Sequence, residues 1–201
     1  MKSANLINTM KKSLLGIIAI GATVLAAHGD IIPTLSPGTP AATAGGFTWN
    51  YGVNVTVDQM VQPGDFFTIY DFGSFTAGSN LQPVGWTFSS SLTGKNPSLV
   101  LPADNPALLN LTWTYTGTTP INGAASAGNF SVIAASNQLR ASDFAAEATR
   151  NGGPNVGTKV DNVGQISVPI PEMSALFPIL SVCGAGIVAS VPSLLRRRKK
   201  S

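Results

Sequence analysis

The chain has 201 residues, of which only 10% are charged, with one cysteine, one histidine and a formal net charge of +3. The histidine, His28, lies near the N-terminus and the cysteine, Cys183, inside an apolar C-terminal run. The middle of the chain therefore lacks the residues for Ser-His-Asp or Cys-His nucleophilic chemistry and for a conventional zinc or haem site.

In chain order, Lys2, Lys11 and Lys12 precede the apolar stretch SLLGIIAIGATVLAA, which leads into AHGD. A basic start, a short apolar run and a small-residue exit are the layout of a secretory signal peptide, here residues 1–29 as a leader helix. Ala27 and Gly29 stand at the −3 and −1 positions of a cut just before Asp30. The competing reading is an uncleaved N-terminal anchor.

Residues 30–46, DIIPTLSPGTPAATAGG, are rich in turn formers and read as an irregular lead-in. From 47 to 168 the text becomes short apolar and aromatic runs split by Gly, Asn, Pro and Ser. FTWNYGVNVTV, DFFTIYDF, VGWTFSSSL, LLNLTWTYTG, NFSVIAAS and VGQISVP are candidate strands. Leu109, Leu111, Trp113 and Tyr115 alternate with Asn110, Thr112 and Thr114, the period of a half-buried strand. QPGD, TAGSN, TGKNPS, PADNP and NGGPN supply turns. One stretch, RASDFAAEATR at 140–150, reads as a short helix with Ser142 or Asp143 as its N-cap. The expectation is an all-β domain, an antiparallel sandwich or jelly roll.

Two sets of residues in this domain could carry function. Asp58, Asp65, Asp71, Asp104, Asp143, Glu147 and Asp161 could supply a glycosidase pair or an oxygen-lined calcium site, or could simply cap turns. Trp49, Tyr51, Trp86, Trp113 and Tyr115 could form a sugar-stacking platform, or belong to the sheet core. No cofactor is expected.

The last stretch, MSALFPILSVCGAGIVASVPSLL (173–195), carries no charge and is about as long as the roughly 20 residues a membrane-crossing helix needs. It reads as one transmembrane helix, with a buried core helix as the alternative. Arg196, Arg197, Arg198, Lys199 and Lys200 follow it directly, a stop that keeps Ser201 cytoplasmic and the preceding chain outside. With both ends set aside, residues 30–172 hold four basic and nine acidic side chains, a net charge of −5. The basic balance of the whole chain comes from its targeting ends, so no nucleic-acid partner is expected.

The end of the chain, VPIPEMSALFPILSVCGAGIVASVPSLLRRRKK, resembles the PEP-CTERM sorting signal of exported bacterial proteins. That signal joins a Pro-Glu-Pro motif preceded by Val, an apolar helix and an Arg-rich stop. Val168, Pro171 and Glu172 match its first part, with Pro169 and Ile170 between them and Ile170 lengthening the approach, while Met173 stands where the family has proline. GDFFTIYDFGSF, VGWTFSSSLTG and LNLTWTYTGTTPI also look like an exported β-domain recurring among such proteins. The resemblance makes 169–201 the sorting signal and implies export, recognition by an exosortase, release of the tail, and delivery to the cell surface or its exopolysaccharide matrix. It implies no substrate. The expected role is a non-enzymatic surface or matrix protein, transiently membrane-held. The alternative is a carbohydrate-binding module or adhesin that holds extracellular polysaccharide on exposed aromatics, with an exported glycoside hydrolase as a third reading.

Overall fold

The computed structural model describes residues 30–171. The expected leader helix with Ala27 and Gly29, the transmembrane helix, Glu172, Met173 and the basic stop lie outside the described residues. Among the described residues there are eleven β-strands and no helix, hence no helix able to cross a membrane. They are β1 (Ile31–Leu35), β2 (Ala41–Thr43), β3 (Gly46–Val55), β4 (Gln59–Val61), β5 (Phe66–Phe72) and β6 (Trp86–Ser91). After these come β7 (Leu109–Tyr115), β8 (Ile121–Asn122), β9 (Ala125–Ala134), β10 (Leu139–Arg150) and β11 (Lys159–Pro169).

The strands form two antiparallel sheets. In the smaller, β3 is central: β9 lies along one edge, and β1 and β2 share the other. The larger runs β6-β7-β5-β10, with β11 on the far edge of β10 and the short β4 and β8 continuing beside its end. The two sheets bury one shared core. β3 shows why: Trp49, Tyr51, Val53 and Val55 are buried at every second position, while Asn50, Gly52 and Asn54 between them are not. That is the period-two pattern of a strand with one face on a core.

The facing sheet supplies Phe67, Ile69, Leu111, Trp113, Phe144, Ala146, Ala148, Ile166 and Val168. At the centre Phe67 stacks on Trp113 with centroids 5.0 Å apart. Phe130 of β9 meets Phe67, Trp86 and Trp113 edge-on at 5.0, 5.0 and 5.8 Å, so the ring cluster ties the two sheets together. Burying each such ring contributes roughly 1.5–3 kcal/mol. Where β3 pairs β9, the register slips at Val53/Asn54, leaving Ala127 as the extra residue of a bulge.

Two sequence expectations are corrected. Residues 30–46, expected to be irregular, contain β1 and β2, which complete the edge of β3. Residues 140–150, expected to be helical, lie within β10, which pairs β11 from Leu139↔Pro169 to Thr149↔Lys159. Their Ala and Glu content favours a helix locally, but partner strands on both edges satisfy the backbone.

Candidate functional site

The aromatic residues do not form an exposed platform. Trp49, Tyr51 and Trp113 are fully buried, and Trp86 and Tyr115 are buried beside them. Trp49 Nε1 donates to the carbonyl of Ser136 at 3.1 Å, and Tyr51 Oη to that of Ser167 at 2.9 Å. The rings serve the core; these two bonds tie Trp49 and Tyr51 to the backbone just past β9 and near the end of β11, while Trp113 Nε1 is buried without a hydrogen-bond partner.

Over β5 and β7 the outer face of the larger sheet is covered as well, so the alternation read in β7 fails there: Asn110 and Thr112 are buried like their neighbours. The cover is the 92–108 segment, which crosses that face as a strap. Lys95 offers its carbonyl to Thr68 Oγ1 and Tyr70 Oη at 2.9 and 3.0 Å, and its ammonium lies 3.9 Å above the Phe66 ring. Burial lowers the pKa of this ammonium and raises that of the Tyr70 phenol. Pro97 and Pro102 turn inward, while Leu99 and Leu101 point out, 74% and 88% exposed.

Carboxylates pin the strap. Leu99 N–H donates to Asp161 at 2.6 Å, Ala103 N–H to Asp143 at 2.7 Å and Asn105 N–H to Asp71 at 2.7 Å. Asp104, on the strap, accepts from the Asn110 amide at 2.9 Å. Four of the seven candidate acids therefore hold backbone or side chains across this face. Among the described residues no group of three or more acidic, histidine or cysteine side chains is arranged to hold a metal ion.

At one end of the molecule lies a second group of acids. Asp65 is fully buried; it pairs with Lys159, accepts from Thr149 Oγ1 at 3.0 Å and caps Gln62 N–H at 2.8 Å. Glu147 is 3.6 Å from the same ammonium. Asp30, which the sequence placed at the leader junction, is also fully buried, and neither carboxylate oxygen has a hydrogen-bond partner. Burial pushes its carboxyl up to about 8. The Ala148 amide opposes the shift, without reaching hydrogen-bonding geometry, and Asp65, Asp161 and Glu147 add repulsion. Sequence reasoning named Asp30 only as a cut position, because its burial follows from the pairing of β1 with β3.

At the other end β11 leads into the Pro-Glu segment of the sequence. Val168 and Pro169 are buried, and Pro169 sits opposite Leu139 on β10. Ile170 is exposed, yet its N–H donates to the Gln138 carbonyl at 2.9 Å. Pro171 lies against Gly73 so closely that a Cβ there would come within 2.7 Å of the Pro171 nitrogen. The motif is thus part of the fold up to Pro171.

Comparison with family models, with characterised proteins and with solved structures gave no match.

Proposed function

We propose that this chain is an exported, non-enzymatic β-sandwich protein of the cell surface or exopolysaccharide matrix. Its tail holds it in the membrane until an exosortase-type protease cuts at the Pro-Glu segment. The observation that carries the reading is the exit of β11: the fold holds the chain through Pro169 and Pro171, and Glu172 and the apolar run follow at once. A cut there would release a finished domain without disturbing any strand. The burial of all three tryptophans supports a scaffold role over the carbohydrate-binding alternative, which needed them on an exposed face.

The test is the mass and location of the exported protein. Surface-located protein is expected to lack 173–201, and Glu172→Ala is expected to leave full-length precursor in the inner membrane. Surface protein that keeps its basic tail, or an unchanged mass and location for Glu172→Ala, would make this a simple C-terminally anchored protein instead.

A further inference from the structure

Among the described residues, the acids around Asp30 carry more negative charge than their neighbours cancel. Asp65, Glu147 and Asp161 all repel the Asp30 carboxylate, and among the described residues Lys159 and Lys95 are the cations acting on the group. Lys159 is committed to Asp65 and Glu147, and Lys95 to the Gly64 carbonyl and the Phe66 face. Neither hydrogen-bonds Asp30, whose carboxylate oxygens are buried and unpartnered. A carboxylate in such a place requires a proton or a cation.

The sequence has a source for that cation. A cut after Gly29 turns the neutral backbone nitrogen of Asp30 into an α-ammonium, fixed by covalent geometry three bonds from its own carboxylate carbon. The residue cannot drift from the acids, because its carbonyl accepts from Thr56 N–H at 3.1 Å and β1 pairs β3 from Ile31↔Val55 onward. We infer that leader removal supplies the missing charge: the new α-ammonium of Asp30 pairs with its own carboxylate and the acids behind it, so that processing completes this end of the fold. The inference rests on the export reading above.

Among the described residues, the unprocessed chain has only a proton to offer Asp30. An acid whose folded pKa is raised loses stability as pH climbs from its ordinary value near 4 towards about 8, because the unfolded chain releases the proton first. The processed chain should behave oppositely. An ammonium among carboxylates has a raised pKa, so its stabilisation is complete below the ordinary value of about 7.7–8 and disappears as pH rises through the raised one.

The experiment uses the full chain exported with its own leader. N-terminal sequencing of the product is expected to begin at Asp30. A variant with two alanines inserted between Gly29 and Asp30 moves the amine away while keeping the leader's exit residues. The native product is expected to melt several degrees higher at pH 6–7, with the gap closing above about pH 9. Asp30→Asn should shrink the gap. Independently of any variant, an amine-selective reagent at pH 7 should label the native product several-fold more slowly than the same protein in urea. A free Asp30 with equal melting points and equal labelling rates would overturn the pairing and leave the export reading intact. A product that keeps its leader would overturn both.

Discussion

Asp71, Asp143 and Asp161 come from three different strands, yet each gives a carboxylate oxygen to a backbone N–H of the 92–108 strap. A charged acceptor on a backbone donor stabilises by about 1.5–3 kcal/mol when shielded, and less at an exposed site such as these. The double variant Asp143→Ala/Asp161→Ala is therefore expected to lose about 1–2 kcal/mol in denaturant unfolding. Its strap should also become a target for limited proteolysis near Leu99 and Leu101, while the sheets stay intact. If the strap is cut no faster than in the native protein, these acids do not hold it. At the core, Trp113 touches Phe67, Phe88 and Phe130. Trp113→Ala should cost about 3–5 kcal/mol. Soluble polysaccharide should leave the native tryptophan emission unchanged, and a saturable shift would restore the carbohydrate-binding alternative.

The strands divide into those the sequence reveals and those that only the assembled sheets explain. β3, β5, β6, β7, β9 and the later part of β11 carry aromatic and β-branched residues whose pattern marks them as strands before any pairing is known. β10 carries a weaker signal. Phe144, Ala146 and Ala148 do alternate into the core, but alanine suits a helix equally well, so only β5 and β11 on its two edges decide its state. The candidate site divides in the same way. Pro169, Pro171 and Glu172 are contiguous and readable in one line of sequence. The partners of Asp161 and Asp143 lie 62 and 40 residues away and emerge only from folding. The contact between β10 and β11 offers a sharp check. Phe144 pairs with Gly164, and a Cβ on Gly164 would come within 2.7 Å of the ring. Gly164→Ala should therefore destabilise by about 1–3 kcal/mol. A neutral effect in denaturant unfolding would show that the ring is not held over that glycine.

For the whole molecule, what matters is where the chain enters and leaves. Asn162 Nδ2 reaches the Ile31 carbonyl at 3.4 Å, so entry is level with the start of β11, whereas exit is at its end. From Asp161 to Pro169 is eight residues of strand, about 26 Å. Under the proposed export route the newborn protein has two moorings in the bilayer, the leader just ahead of Asp30 and the tail just beyond Pro171. With so little slack at either point, the strands must then lie along the membrane. Once the leader is cut, one mooring remains, and the molecule can pivot upright on the end of β11. That would lift the 151–158 turn away from the lipid by about the length of the strand. A dye at Asn155→Cys, in a Cys183→Ser background, should be quenched by lipid probes when leader cleavage is blocked and released from them once it proceeds. Leader removal would then govern posture, and with it which side of the protein meets the outside world.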